Sequence, residues 1–249
     1  SVYIEQEGKK ILLDTGAGGK FAENAAALGI ALEEIDYAVL SHAHYDHANG
    51  MGQFFEKNAK ASFHLRKGTA ENCYAKKWVF HKYIGVKKGL LAQYRSRIVY
   101  ADGTYELFPG AYLLAHSTPG LGELGKKAGM YVRCGCRLQP DDFSHEQSLV
   151  LDTPKGLVIF NSCSHGGADN IIAETAAAFP QKHIYALIGG LHLFASPEAE
   201  VRALAERIRS TGIERVITGH CTGKRAYAIL HEELGGAAEQ MYAGMEILV

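Results

Sequence analysis

The apolar positions in the first 40 residues predict a hairpin, a helix and a further strand. Residues 2–5 and 11–13 flank a glycine turn and predict a β-hairpin. Apolar residues between 21 and 28 recur at helical spacing, and the run 35–40 predicts a buried strand after that helix. The first part of the chain therefore has the pattern of an α/β protein.

The second half of the chain repeats this pattern. Residues 148–151 and 157–160 flank a Pro-Lys-Gly turn and predict a second hairpin. The further predicted elements are an alanine-rich helix from about Asp169, a strand at 184–188, a helix capped by Ser196, a strand at 216–218, a helix at about 226–234 and a last apolar segment at 245–249. The fold class expected is α/β (α+β), an αββα sandwich of two mixed β-sheets with outer helices.

Length and charge narrow the class of protein. At 249 residues the chain has the length of one domain, expected over 1–249. Its 26 Lys+Arg nearly balance 27 Asp+Glu, so we expect no nucleic acid and no membrane as partner. No apolar stretch could span a bilayer, Ser1 opens no signal pattern, and the five cysteines are irregularly spaced. We therefore expect a cytoplasmic protein.

Basic and aromatic residues are concentrated between positions 65 and 97, where Glu71 is the single acid. This composition suits stacking on a ring while holding a phosphate or carboxylate. We expect residues 65–110 to be an insertion that acts as a substrate lid. An exposed helical excursion with a solvated basic face is the alternative. The candidate substrate-binding residues are Lys76, Lys77, Trp78 and Arg95.

Three histidines and one aspartate occupy six positions, His42-Ala43-His44-Tyr45-Asp46-His47, directly after the predicted strand 35–40. Divalent transition metals take this ligand set. Because side chains two apart in a strand share a face, we expect His42 and His44 to bind one ion. Asp46 and His47, around the turn, reach toward a second ion.

Two ions need further ligands, and three later histidines follow predicted strands: His165, His192 and His220. Small residues before each of them let the backbone approach a bound group. We expect His165 and His220 to be ligands, and His192 to contact the substrate or support a ligand. The remaining histidines are expected to be structural or on the surface: His64, His81, His116, His145, His183 and His231.

Two residues near these histidines have alternative interpretations. Cys163 is either a small buried strand residue or a thiolate ligand, since a nearby metal deprotonates a thiol. Asp14 is either a turn residue or a carboxylate that orients a ligating histidine. The residue pattern alone leaves both alternatives open.

The chain resembles the metallo-β-lactamase superfamily. The matching motifs are Leu12-Leu13-Asp14-Thr15-Gly16, the full six-residue motif at 42–47 and Gly219-His220. Within that superfamily, segments 161–167, 188–193 and 219–223 are similar to the branch named after dihydropterin ribofuranosylaminobenzene phosphate synthase. Most members of that branch are called metal-dependent hydrolases.

This resemblance implies an αββα fold with a dinuclear metal site in the cleft between the sheets. One metal would take His42, His44 and His165. The other would take Asp46, His47 and His220.

The chain departs from the superfamily pattern in two places. No histidine follows Thr118-Pro119-Gly120, so the role of third ligand passes to His165. Ser162-Cys163 stands where a Gly-Asp pair is expected, which leaves the bridging carboxylate unassigned. Asp152 and Asp169 are fallback carboxylates.

We therefore expect a metal-dependent hydrolase in which a metal-activated hydroxide attacks a small anionic phosphoester or ester. Asp46 and His192 are its candidate catalytic residues, and two divalent ions are its cofactors: zinc, with iron or manganese as alternatives. Three other functions suit the same ligands: a synthase joining a dihydropterin-like ring to a phosphorylated partner, iron-dependent redox chemistry, and a non-catalytic ligand sensor. Nuclease activity is not expected, because the basic residues lie in one short segment.

Overall fold

The structure is a computed structural model that describes Ser1–Val249. Its strands are β1 (Val2–Gln6), β2 (Lys9–Leu13), β3 (Tyr37–Val39), β4 (Ser62–Arg66), β5 (Cys73–Lys77), β6 (Phe80–Tyr83), β7 (Ile98–Ala101), β8 (Tyr105–Phe108), β9 (Ala111–Ala115), β10 (Met130–Cys134), β11 (Arg137–Pro140), β12 (Gln147–Thr153), β13 (Gly156–Phe160), β14 (Ile184–Gly189), β15 (Arg215–Thr218) and β16 (Ala238–Gln240). Its α-helices are α1 (Lys20–Ala27), α2 (Tyr45–Ala48), α3 (Met51–Lys57), α4 (Leu90–Gln93), α5 (Leu121–Ala128), α6 (Ala168–Ala178), α7 (Glu198–Ser210) and α8 (Lys224–Leu234).

Both predicted hairpins are present, as the antiparallel pairs β1–β2 and β12–β13. The predicted cap of α7 is wrong: Pro197 occupies the N-cap position, and no side chain caps this helix. The last strand is β16, and residues 245–249 form no strand. Local apolar spacing therefore located the elements better than their ends.

The chain forms two compact units. Unit 1 comprises residues 1–103 and 120–147, and unit 2 comprises residues 104–119 and 148–249. The expectation of one domain over 1–249 stays a prediction.

Unit 1 contains a mixed sheet in the order β1-β2-β3-β4-β7, in which β2, β3, β4 and β7 are parallel. The carboxyl ends of β2 and β3 meet at one edge, since neighbouring parallel strands run in the same direction. Asp14 follows β2 there, and Leu40-Ser41-His42 follow β3. Phe54, Phe63 and Met51 belong to the buried core of this unit.

A second, antiparallel sheet of unit 1 has the order β11-β10-β5-β6. Part of the basic segment lies on β5 and β6, so the alternative of a helical excursion is wrong for these residues. Trp78 lies at the β5–β6 turn with φ +58° and is 92% exposed. The proposed lid function of residues 65–110 stays a prediction.

Unit 2 contains a seven-stranded mixed sheet in the order β16-β15-β14-β13-β12-β9-β8. Strands β13, β14, β15 and β16 are parallel, so their carboxyl ends share one edge. Ile159, Leu187 and Val216 belong to the buried core of this unit, and Leu204 and Ile208 of α7 belong to the same core cluster.

The two mixed sheets and their helices confirm the predicted mixed α/β class. None of the helices combines the length with the apolar composition that crossing a membrane requires.

Candidate functional site

The first candidate site lies in unit 1, where β3 ends and α2 begins. The rings of His42, His44 and His47 are close together: the His42 centroid lies 4.7 Å from that of His44 and 4.2 Å from that of His47. All three residues are buried. The Oδ2 atom of Asp46 lies 3.5 Å from Nε2 of His47, and its side chain is partly exposed. Unit 1 thus brings together all four predicted donors of the motif.

His42 and His44 were expected to lie close together because they share one face of a strand, and this reason is wrong. Strand β3 ends at Val39, so His42 and His44 lie in the following loop rather than on a strand face. Asp46 and His47 lie on α2, which begins directly after His44. The tight turn from strand to helix, and not the alternation of a strand, brings the rings together.

Asp14 links these histidines by hydrogen bonds. Its Oδ1 accepts the Ser41 backbone N–H, and its Oδ2 accepts the Ser41 hydroxyl and Nδ1–H of His47, each at 2.7 Å. The Ser41 hydroxyl has one hydrogen, so its oxygen accepts Nδ1–H of His42 at 2.8 Å. The lone pair of both rings therefore lies on Nε2. Of the two interpretations of Asp14, the structure shows the carboxylate that orients a histidine.

Asp14 also influences the charge state of His47. Burial lowers the pKa of His47, but the charge of Asp14 and its hydrogen bond outweigh burial and hold that pKa above its ordinary value. The φ angle of Asp14 is +62°, in the left-handed region that non-glycine residues seldom adopt. Such backbone strain clusters at functional sites.

His145 was expected to be structural or on the surface, and it lies buried beside this cluster. Its ring centroid is 5.4 Å from that of His44. Its Nδ1 accepts the backbone N–H of Ala43 at 3.2 Å, so the ring hydrogen is on Nε2 and is donated to Asp141 at 3.0 Å. Donor atoms of His44, Cys73, Asp141 and His145 all lie within 4.8 Å of one another.

Sequence reasoning missed the hydrogen-bonded pair Asp141 and His145, although the sequence contains a signal for it. Asp141 and His145 lie in the segment 141–146, which is polar except for Phe143 and directly precedes the buried strand β12. The same criterion, polar donors next to a strand, had selected His165 and His220 at strand ends. Applied to strand beginnings, it would have selected His145.

The second candidate site lies in unit 2, at the carboxyl ends of β13, β14 and β15. We call it the unit 2 cluster, and its members are Cys163, His165, His192, His220 and Cys221. The ring centroids of His165 and His192 are 4.4 Å apart. Donor atoms of Cys163, His165 and His192 lie within 4.8 Å of one another, and so do those of Cys163, His220 and Cys221. The strand-end prediction therefore located three histidines of one cluster.

Backbone strain also marks the unit 2 cluster. The φ angles of Ser164, His192 and His220 are 51°, 50° and 51°. These positive values are uncommon for residues with a side chain, and they occur at or beside cluster members. Sequence reasoning did not single out Cys221. The hydrogen bond with Cys163 is the largest of several interactions that hold the pKa of the Cys221 thiol below its ordinary value, against the opposite effect of burial.

The predicted substrate-binding residues lie elsewhere in unit 1. Lys76 and Lys77 end β5, and Trp78 follows them at the turn to β6. Arg95 begins the short 3-10 helix Arg95–Arg97. All four side chains are exposed. Their role in binding a substrate stays a prediction.

Comparison with known proteins decides the family. The model of the metallo-beta-lactamase superfamily matches residues 1–126, just over half of the 249-residue chain. The chain belongs to the metallo-beta-lactamase superfamily. The resemblance inferred from the motifs is therefore confirmed.

Individual relatives of this superfamily member extend over nearly its whole length. It is 27% identical to a Methanocaldococcus jannaschii protein named 7,8-dihydropterin-6-methyl-4-(beta-D-ribofuranosyl)-aminobenzene-5'-phosphate synthase, over 98% of this chain and 86% of that protein. It is 25% identical to the uncharacterized protein MJ0448 of the same organism, over 93% of this chain and 86% of that protein.

A solved structure gives the same result for the fold. Tm1679, described as a metal-dependent hydrolase of the beta-lactamase superfamily, is 30% identical to this chain. The two superpose with a TM-score of 0.82 over 96% of this chain and 88% of Tm1679. The predicted metallo-β-lactamase-like fold is confirmed.

The donors of this superfamily member fit divalent metal ions. Imidazole nitrogen, carboxylate oxygen and thiolate sulfur are the ligand atoms of zinc and of iron. Each unit has at least three such donors within 4.8 Å of one another, and most of them are buried. In unit 1, the hydrogen bonds of Asp14 set the tautomer that a metal-binding His47 needs, as carboxylate partners commonly do.

Proposed function

We propose that this protein is a metal-dependent hydrolase that acts on a small anionic phosphoester or ester. The observation that carries the proposal is the pair of hydrogen-bond paths from Asp14, one through Ser41 to His42 and one directly to His47. A buried carboxylate that fixes the tautomers of two neighbouring imidazoles is typical of a metal site. A hydrophobic core has no need of such an arrangement.

The proposed ligands in unit 1 are His42, His44, Asp46 and His47. In unit 2, the proposed ligands are His165 and His220. We propose two divalent ions and zinc as the metal, with iron and manganese as alternatives. When bound, such an ion lowers the pKa of water and stabilises negative charge that develops on the reacting group.

The proposed catalytic residues are Asp46 and His192. Asp46 is partly exposed, which leaves its carboxylate accessible for accepting a proton from a reacting group. His192 has a buried Nδ1 atom without a hydrogen-bond partner. Burying a polar atom without a hydrogen-bond partner lowers the stability of the folded protein unless a bound ligand supplies that partner. We therefore propose that His192 contacts the substrate.

The exposed basic residues support an anionic substrate. Lys76 and Lys77 carry positive charge at the end of β5, and Arg95 adds a guanidinium that can hold a phosphate or carboxylate through two hydrogen bonds. Trp78 offers an exposed ring face for stacking. We propose that these four residues, which lie in the segment 65–110, bind the substrate.

The proposal is tested by metal analysis and turnover on the same samples. Protein purified under reducing conditions is analysed for bound elements and assayed against phosphomonoesters, phosphodiesters, carboxylic esters and lactones. We expect bound metal, and turnover that a chelator abolishes and added metal restores. In the variant His44→Ala, metal and turnover are lost together, whereas His183→Ala, which changes an exposed histidine outside the proposed sites, retains both. Turnover in a metal-free His44→Ala protein contradicts the proposal.

A synthase is the second candidate function, and the name of the 27% identical relative favours it. The protein would join a 7,8-dihydropterin that carries a leaving group on its 6-methyl carbon to 4-(beta-D-ribofuranosyl)-aminobenzene-5'-phosphate. The new bond to the methyl carbon replaces its bond to the leaving group, and the aminobenzene loses a proton. Metal-loaded protein is incubated with both compounds, and mass spectrometry detects the condensed product. A condensed product without hydrolysis in the panel favours the synthase, and hydrolysis without condensation favours the hydrolase.

A further inference from the structure

Two sulfur atoms of unit 2 lie among its histidines. Cys163 follows β13, and Cys221 lies in the 3-10 turn His220–Thr222 after β15. The donor atoms of Cys163, His220 and Cys221 lie within 4.8 Å of one another. Two sulfur ligands of one zinc ion, each about 2.3 Å from it, lie at most about 4.6 Å apart. These three residues are therefore close to the spacing that one ion requires.

Cys163 also belongs to a second group of donors. Its sulfur lies within 4.8 Å of a ring nitrogen of His165 and of His192. The Nδ1 atom of His192 is buried and has no hydrogen-bond partner. A buried nitrogen without a partner indicates that a bound group, in our proposal the substrate, is held next to the sulfur of Cys163.

The surrounding backbone is shaped to admit the sulfur of Cys221. A side chain at Gly190 would place its Cβ 2.5 Å from Sγ of Cys221 and 2.7 Å from the backbone oxygen of Ser162, so only glycine fits. The backbone N–H of His192 donates to Sγ of Cys221 at 3.3 Å. Amide donors to a sulfur stabilise its thiolate form, which is the form that binds metal.

We propose that Cys163 and Cys221 bind a metal ion through their sulfur atoms, together with His220. This inference rests on the proposed function in that it assumes a metal-binding protein, and it names ligands beyond the predicted histidines. Each thiol releases its proton to solvent when the metal–sulfur bond forms. Two thiolates select zinc or ferrous iron over manganese and magnesium, which prefer oxygen ligands.

The deciding experiment is X-ray absorption spectroscopy at the zinc edge on the full-length, zinc-loaded protein. We expect a sulfur shell at about 2.3 Å from the metal. The single variants Cys163→Ser and Cys221→Ser each lose about half of the sulfur contribution, and the double variant loses all of it. The matched control is Cys136→Ser, which changes an exposed cysteine and leaves the shell intact.

Cobalt substitution gives a second measurement. Thiolate ligation produces a sulfur-to-cobalt charge-transfer absorption, which we expect in the wild-type protein and not in the double variant. Circular dichroism shows whether each variant is folded, and the wild-type spectra test the inference even if a variant unfolds.

The outcomes separate this inference from the proposed function. Bound zinc with only nitrogen and oxygen neighbours overturns the sulfur ligation and leaves the hydrolase proposal standing. Bound zinc with a sulfur shell, but without turnover on any substrate of the panel, supports the sulfur ligation and contradicts the hydrolase proposal. A protein that binds no metal overturns both.

Discussion

The Oδ2 atom of Asp14 lies 2.7 Å from Nδ1 of His47, although the two residues are 33 positions apart in the chain. Both side chains are almost completely buried. Asp14 also accepts two hydrogen bonds from Ser41, which directly precedes His42. One carboxylate at the end of β2 therefore positions both ends of the six-residue motif.

This relationship predicts the effect of Asp14→Asn. The amide keeps the size of the carboxylate but lacks its charge, so it holds His47 and the Ser41 hydroxyl less firmly. We expect metal affinity to fall about 10- to 100-fold, as for other residues that orient a ligand. Competition with a chromophoric chelator measures this change. The control Asp102→Asn alters an exposed carboxylate of the same unit. Wild-type affinity in Asp14→Asn would show that the contact has no role in metal binding.

The pair Asp141 and His145 provides a second prediction. Removing the imidazole in His145→Ala leaves Oδ2 of the buried Asp141 carboxylate without the His145 donor and the Ala43 N–H without its acceptor, while Oδ1 of Asp141 keeps the N–H of Phe143. We expect the free energy of unfolding to fall by roughly 1–3 kcal/mol. Metal affinity falls as well, because Ala43 lies between His42 and His44.

Glutamine can both donate and accept, so His145→Gln should restore part of both losses. Urea unfolding and chelator competition measure the two quantities, and His81→Ala is the exposed control. A loss of stability with unchanged metal affinity in His145→Ala would limit the pair to a structural role.

Glu174 predicts a pH dependence in unit 2. Its carboxylate accepts hydrogen bonds from the backbone N–H groups of Ser117 and Thr118, from the Thr118 hydroxyl and from Nδ1 of His116. Burial raises the pKa of Glu174, but these partners outweigh burial and hold that pKa below its ordinary value of 4.5. The folded state therefore favours the ionised carboxylate.

Because the folded pKa is lowered, the stabilising contribution of Glu174 is complete above pH about 4.5 and is lost as pH falls through the folded pKa. In Glu174→Gln we expect unfolding free energy at neutral pH to fall by roughly 1–3 kcal/mol, with a smaller further loss on acidification. Urea titrations between neutral pH and pH about 3 test this. If the free energy of unfolding changed with pH in the same way in Glu174→Gln and in the wild type, Glu174 would not be a source of this pH dependence.

Gly190 predicts a steric effect on the unit 2 cluster. In Gly190→Ala the new methyl group would lie 2.5 Å from Sγ of Cys221, so the sulfur or the backbone must move. We expect a loss of roughly 1–3 kcal/mol in the free energy of unfolding, which is typical of overpacking. Thermal and urea unfolding measure it. The control Gly236→Ala places a methyl group with no atom within 4 Å. Equal stability of the two variants would show that the chain accommodates the methyl group.

Several parts of the fold could be predicted because their causes are local. The hairpins β1–β2 and β12–β13 follow from apolar runs on either side of a glycine turn. The sheet formed by β11, β10, β5 and β6 was missed, since pairing of β10 with β5 depends on segments almost 60 residues apart. The short strand β16 was missed because Ala238–Gln240 has no alternating pattern.

The sequence by itself determined which donors lie close together along the chain. His42, His44, Asp46 and His47 fall within six residues, so any compact turn keeps their side chains close. The positions of His165, His192 and His220 after apolar runs placed them at strand ends, and parallel strands share an edge.

Only the tertiary structure decided which distant groups complete each cluster. The hydrogen bond from Ala43 to His145 joins residues 102 positions apart. Cys221 lies close to Gly190 and Cys163, although the three residues follow three different strands. Such contacts depend on the path of the whole backbone and on the burial of polar atoms that must then find partners. Local spacing contains no information about either.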